Sequence, residues 1–276
     1  MFACWRVFDR DFTMNDTPTS DAVQYERDSR GVITLTMNRP ASFNSLSEEM
    51  LGALQAALDR VAADEGARVV VLAANGKAFC PGHNLKEMVE RPSLDYYRKL
   101  FDQCSRMMLS ILKLPVPVIA RVHGIATAAG CQLVAQCDLA VASGNASFAV
   151  SGVNYGLFCS TPSVPLLRNV SPKHAMEMLL TGDFITAQQA AERGLINRAV
   201  EPEQLDAEVA RLVASILDKP REAVALGKDL FYRQREMGIE AAYQLAGHTM
   251  ALNMIDTCAQ EGFKAFTEKR KPAWKT

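Results

Sequence analysis

Apolar and polar residues alternate from Val23 to Arg27 and again from Val32 to Met37, with Ser29-Arg30-Gly31 between the two runs. That pattern predicts a β-hairpin. Ser47 then stands as an N-cap before two glutamates, and Leu51, Leu54, Ala57, Leu58 and Val61 recur at helical spacing. Arg68 to Ala73 is a short buried strand. A helix is expected over 95–113, carrying Leu100, Cys104, Met107, Met108 and Ile111 on one face and stopped by Pro115 and Pro117. Val116 to Val122 and Asp138 to Ala142 predict two more strands, flanking a helix that begins near Ala128. Strands alternating with helices imply parallel pairing through right-handed crossovers.

From Thr186 the pattern becomes mostly helical. A capped short helix ends at Gly194, and Leu195 to Val200 is extended. Pro202 opens a helix to Asp218 and Pro220 another to about Met237, followed by helices over 239–257 and 261–270. The expected organisation is a flexible leader (1–21), an α/β core (22–200) and a C-terminal helical region (201–276).

Length adds that one domain with a full core fits the 276 residues, with room for a helical appendix. The net charge of -1, from 30 basic and 31 acidic residues, excludes nucleic acid or an anionic membrane as the main partner. Seven cysteines (Cys4, Cys80, Cys104, Cys131, Cys137, Cys159 and Cys258) show no zinc spacing, so no metal is expected. Most have small or apolar neighbours and read as reduced thiols of a cytoplasmic protein. No apolar run spans a bilayer. Met1 to Asp21 lacks a secretory apolar core, and Asp9, Asp11 and Asp16 make it too acidic for a transit peptide. Met14 offers a second candidate start.

Candidate chemistry lies in two small-residue turns, Phe79-Cys80-Pro81-Gly82-His83-Asn84-Leu85 and Gly124-Ile125-Ala126-Thr127-Ala128-Ala129-Gly130-Cys131-Gln132. Each follows an apolar β-type run. Small residues let the main chain approach a ligand and leave N–H groups pointing outward. Two such turns facing each other would aim two donors at one developing negative oxygen, an oxyanion hole.

Asn38-Arg39-Pro40, Asn44-Ser45-Leu46, Gly76-Lys77-Ala78-Phe79, Gly82 to Met88, His123-Gly124, Gly130-Cys131-Gln132-Leu133, Cys137-Asp138 and Glu268 to Pro272 occur in an ordered set. With it, the chain resembles the crotonase (enoyl-CoA hydratase/isomerase) superfamily from about Val23 onward. Ala126 to Gln132 and Gly156 to Pro162 bring it nearest to the enoyl-CoA-hydratase-domain-containing protein 3 branch. The resemblance implies a crotonase-like spiral of ββα units and a C-terminal helical trimerisation region. It implies an acyl-CoA thioester as partner, lyase or isomerase chemistry of fatty-acid metabolism, and no cofactor beyond the CoA of the substrate. Backbone N–H groups of His83 and Ala129 would form the oxyanion hole. Phe43, Ser45, Leu46, Ala78, Pro81, Lys86, Phe266 and Lys269 would grip CoA. The basic cluster of Lys264, Lys269, Arg270, Lys271 and Lys275 would meet its phosphates, where otherwise it reads as a solvated helix end. A homo-oligomer, a trimer or a hexamer built as a dimer of trimers, would hide Ile239, Tyr243, Leu245, Met250, Leu252, Met254, Ile255, Phe263 and Phe266.

The departures from the family pattern matter equally. Hydratases of the family use two glutamates to handle water and the α-proton; their positions fall at Gln132 and Gly152. A third carboxylate position, used by some isomerases, falls at Ser160. None of these can titrate near neutral pH. Efficient classical hydration is therefore disfavoured, and exchanging Gln132 and Gly152 for glutamates would restore part of it if the local geometry is intact. Three functions remain: an acyl-CoA enzyme using the hole without the glutamates, for which malonyl-type decarboxylation with His83 or water as proton donor suits the inventory; a non-catalytic acyl-CoA binding or regulatory protein; or residual hydratase activity. The His83 ring would then orient a carboxylate, give up a proton, or merely pack. Asp138 reads as structural, and Cys159 lacks a nearby base for a nucleophile's role.

Overall fold

The computed structural model describes residues 21–274. β1 (Val23–Arg27) pairs antiparallel with β2 (Val32–Met37), Val23 opposite Met37. Gly31 closes the hairpin at φ +81°, where a side chain is disfavoured. Ser47 caps α1 (Glu48–Ala63) by accepting the Met50 N–H, and Met50, Leu51, Leu54, Leu58 and Val61 pack inward.

Three successive units follow, each a long strand, a very short strand and helix. They are β3 (Val69–Ala74) with β4 (Ala78–Cys80), α2 (Leu85–Glu90) and α3 (Leu94–Lys113); β5 (Val118–Val122) with β6 (Ile125–Thr127) and α4 (Ala129–Gln136); and β7 (Leu139–Ser143) with β8 (Ser147–Ala149), α5 (Ser160–Asn169) and α6 (Pro172–Thr181). β9 (Ile185–Thr186), α7 (Ala187–Glu192) and β10 (Arg198–Val200) complete the α/β part. Long strands form one sheet in the order β1-β2-β3-β5-β7-β10, and short ones a second in the order β4-β6-β8-β9. Val70 pairs with Val118 and Ile119 with Leu139, both in parallel, as crossovers through helices require. The expected spiral of ββα units is present.

Two expectations change. Both small-residue turns contain a strand: β4 lies in the first and β6 in the second, and they pair with each other, Ala78 opposite Ile125. The final helix starts earlier than residue 261, because the Asp256 side chain accepts the Cys258 N–H at 2.8 Å and caps it there.

The C-terminal region is α8 (Leu205–Leu217), α9 (Arg221–Gln234), α10 (Ile239–Met254) and α11 (Thr257–Thr267). Leu205, Val209 and Val213 of α8 cover Val69, Val71, Ile119 and Val141 on one face of the long sheet. Helix α9 is pinned by a buried ion pair. Lys228 Nζ donates to Asp138 Oδ2 at 2.7 Å and to the carbonyls of Ile111 and Val116, each at 2.9 Å. Tyr232 O–H and Val118 N–H donate to the same carboxylate. Asp138 is thus the structural residue the sequence suggested. Helices α10 and α11 leave the apolar side chains of Ile239, Tyr243 and Phe266 at 72%, 75% and 82% exposure.

Candidate functional site

Strand β4 delivers Pro81, Gly82 and His83, and strand β6 delivers Ala128 and Ala129 at the start of α4. The two turns touch. A side chain added to Gly82, whose φ is +100°, would place its first carbon 3.0 Å from Ala128 Cβ and 3.1 Å from Ala129 N. Gly130 is needed for the same reason, since a Cβ there would strike the Cys80 carbonyl. Ala128 is held at φ 50° and ψ -121°, a region that ordinarily belongs to glycine. Its N–H donates to the Ala149 carbonyl at 2.9 Å, which fixes the turn.

Among the described residues, neither the His83 N–H nor the Ala129 N–H has an acceptor in the protein. Leu46 bridges the first turn from the other side: its N–H donates to the Gly82 carbonyl at 2.8 Å and its own carbonyl accepts the Asn84 N–H at 3.4 Å. The His83 amide is left facing away from that bridge.

The His83 ring is oriented by the same residue. Nδ1 lies 3.3 Å from the Leu46 carbonyl oxygen, which can only accept, so the ring proton is on Nδ1. Nε2 is then a bare lone pair, buried and unpartnered, with Phe101 edge-on at 5.4 Å. Burial holds the imidazole pKa below its ordinary value, against a smaller upward pull from the Leu46 carbonyl. A neutral ring with this tautomer offers Nε2 as a hydrogen-bond and proton acceptor.

These groups open onto a cavity of about 330 Å³ that also touches Ser151, Gly152, Cys159 and Ser160. Among the described residues, none that lines it carries a formal charge. The Thr127 and Ser151 hydroxyls pair at 2.9 Å beside it. Gly152 is tightly enclosed: its N–H donates to Cys159 Sγ at 3.2 Å, and a Cβ there would lie 2.8 Å from that sulfur and collide with the Leu157 carbonyl. A glutamate at 152 therefore cannot be restored by simple exchange, which overturns the idea that the geometry is intact. The Cys159 thiol is pushed up by burial, against the Gly152 N–H, so it is no ready nucleophile.

A search among family models matches residues 27–276 to enoyl-CoA hydratase/isomerase. The chain belongs to the enoyl-CoA hydratase/isomerase family. Enoyl-CoA hydratase domain-containing protein 3, mitochondrial, of Mus musculus is 46% identical over 248 residues, covering 90% of this chain and 83% of the mouse protein. The crystal structure of an enoyl-CoA hydratase of Mycobacterium smegmatis superimposes with a TM-score of 0.91 at 61% identity, covering 92% of this chain and 99% of that one. Human enoyl-CoA hydratase domain-containing protein 3 gives 0.88 at 43% identity, covering 92% and 100%.

Family positions are distributed unevenly by the structure. Pro81, His83, Ala129, Gly152 and Ser160 border one cavity. Gln132 does not; it lines a second cavity of about 460 Å³ between α3, α4, α5 and α9, with Thr161 bordering both. Leu46 and Ala78 are buried, so only their main chains can reach a ligand. Phe43 is half exposed at φ 55°, beside Ser45. Lys86 is exposed at the first turn of α2. Phe266 and Lys269 are elsewhere: Phe266 borders an apolar groove with Pro220 and Trp274, and Lys269 follows α11 in a left-handed turn. They do not reach the cavity within one chain. Lys264 and Arg270 are engaged with Glu268 and Glu261; Lys275 lies outside the described residues, as do Cys4 and the leader up to residue 20.

Asn44 was quoted in the sequence motif without a role. Its side chain is fully buried and accepts the Arg39 N–H while donating to the Asn75 and Ala78 carbonyls, locking the Phe43 loop to β4. Its φ of 60° is the left-handed conformation asparagine tolerates best. No helix among the described residues is long and apolar enough to cross a membrane, and none of their His, Cys, Asp or Glu groups could hold a metal.

Proposed function

We propose that this family member binds acyl-CoA thioesters with the thioester carbonyl between the His83 and Ala129 N–H groups, and that it handles them without glutamate acid–base chemistry. One observation carries the reading: two turns in contact at Gly82 and Ala128–Ala129 present two amides that have no acceptor among the described residues. In a cavity without formal charges, such donors interact strongly with a developing enolate oxygen. CoA would follow the Phe43–Leu46 loop and Lys86. Phe266 and Lys269, remote from this cavity, would close the nucleotide end of a neighbouring subunit's site, in a homo-oligomer formed through the exposed faces of α10 and α11. The free, mostly buried thiols fit a reducing, cytoplasmic setting.

With Gly152 in its wall and Gln132 outside it, the cavity has no carboxylate among its described lining residues to move protons, so hydration is not the reaction favoured. Decarboxylation of a malonyl-type thioester is the second reading. The uncharged walls disfavour a carboxylate on the α-carbon, while the charge of the resulting enolate would lie between the two amides. Its protonation would come from water, since His83 Nε2 carries no proton. The test is a mass-spectrometric and calorimetric panel of enoyl-, malonyl- and hydroxyacyl-CoA thioesters, scored for binding and turnover. Binding of several thioesters with turnover of none, or of the malonyl type alone, supports the account. No binding of any thioester overturns it.

A further inference from the structure

The second cavity is built for something the first does not need. Thr161, on the opening turn of α5, borders both cavities. Gln132 lines the second as well, 4% exposed, with Oε1 buried and, among the described residues, without a donor. A buried acceptor of this kind is costly unless a ligand or its accompanying water supplies the hydrogen bond. Beyond Gln132 the walls are apolar, made by Met108, Leu109, Val164 and Pro165. The far end is cationic. Arg168 and Arg235 both border it, with Glu236 as the carboxylate between them. Arg168 takes that carboxylate through two nitrogens, at 3.1 and 3.4 Å. Arg235 donates to the Arg168 carbonyl and lies over the Phe231 ring at 5.4 Å. Among the described residues it has no ion pair. Two guanidinium groups against one carboxylate leave a positive charge at the end of an apolar passage.

We propose that the second cavity receives the distal part of the acyl tail and that the protein's preferred thioesters end in a carboxylate, held by Arg235 with Arg168: ω-carboxyacyl-CoA, a dicarboxylic acid esterified at one end. This assignment rests on the thioester reading above, since it starts from a carbonyl placed at His83 and Ala129. The dimensions agree with a medium-length tail. Thr161 and Arg168 are seven residues apart on α5, about 10 Å along the axis. With carbon–carbon bonds of about 1.5 Å, on the order of eight tail carbons cover that distance. Guanidinium suits the end group because it grips a carboxylate through two parallel hydrogen bonds. A plain alkyl tail of the same length would leave Arg235 unpaired.

The experiment measures, by calorimetry on the full-length protein, the affinities of butyryl-CoA, decanoyl-CoA and sebacyl-CoA, the last being the ω-carboxy counterpart of decanoyl. The expected result is sebacyl-CoA bound at least about tenfold more tightly than decanoyl-CoA. This preference is lost in Arg235→Gln and in Arg168→Gln and partly kept in Arg235→Lys, with butyryl-CoA affinity unchanged in all three. Thr161→Phe, at the residue shared by the two cavities, weakens both long thioesters more than butyryl-CoA. Butyryl-CoA bound normally with equal affinities for the two long thioesters, or a preference that survives both glutamine variants, overturns the assignment and leaves the thioester site standing. No binding of butyryl-CoA removes the thioester reading and this assignment together.

Discussion

Cys159 Sγ accepts the Gly152 N–H at 3.2 Å and fills the space that any side chain at 152 would need. Gly152, where the family resemblance would put one hydratase glutamate, is part of a tightly closed loop. Crotonyl-CoA hydration should accordingly be orders of magnitude below an ordinary hydratase, because each general acid–base group typically supplies ~10²–10⁴-fold. The Gln132→Glu, Gly152→Glu double variant should recover none of it. Overpacking at 152 should also cost about 1–3 kcal/mol. A spectrophotometric hydration assay and a denaturation curve check both; recovery of rate in the double variant would show that the loop yields.

His83 should give a pH signature. Its folded pKa is lowered by burial, from an ordinary value of ~6.5, so the unfolded chain takes up the proton first as pH falls. The stability supplied by the neutral ring is complete above the unfolded value and is lost as pH drops through the folded one. Melting temperature should therefore fall more steeply from neutral to about pH 5 in the native protein than in His83→Asn. Parallel curves would mean that the ring is not held neutral.

Ala128 occupies φ 50° and ψ -121°. Relief of that strain, of order 1–3 kcal/mol, exceeds the ~0.5–1 kcal/mol entropic cost of a glycine, so Ala128→Gly should be neutral or stabilising by about 1 kcal/mol. Ala129→Gly, at the first position of α4, should destabilise instead. Urea denaturation of the two variants separates them.

Removing one partner of the Lys228–Asp138 pair should be severe. The two side chains are 5% and 14% exposed, and Lys228→Met strands the Asp138 carboxylate, at a cost of about 3–5 kcal/mol. Adding Asp138→Asn should return part of that loss. Chemical denaturation of single and double variants gives the coupling directly.

Much of this architecture was legible because long elements declare their periods. The hairpin of β1 and β2, the Ser47 cap, the α3 face from Leu100 to Ile111 and the α9 start after Pro220 appear where the pattern put them, while α8 begins at Leu205, three residues after Pro202. The second sheet was not legible. Strands of three residues, such as Ala78–Cys80 and Ile125–Thr127, are too short to show alternation and form only by pairing with each other from distant parts of the chain. The turns were readable as ligand-facing from their small residues and the family motifs. What the sequence could not give was where side chains end: that Gln132 borders a different cavity from Gly152, that Leu46 selects the His83 tautomer, and that Arg235 meets Arg168 across 67 positions. Those are contacts between elements, with no local pattern to announce them.

The central claim is that two backbone amides polarise a thioester carbonyl, and the bond itself reports it. Isotope-edited infrared spectroscopy of butyryl-CoA carrying ¹³C at the thioester carbonyl would compare the bound and free stretching bands. The account predicts a bound band moved clearly to lower frequency and sharpened, as two N–H donors draw charge onto the oxygen, and a shift that disappears in Gly82→Val, which would wedge the two turns apart. A bound carbonyl with the frequency it has in an apolar solvent would contradict the assignment of His83 and Ala129 as its partners.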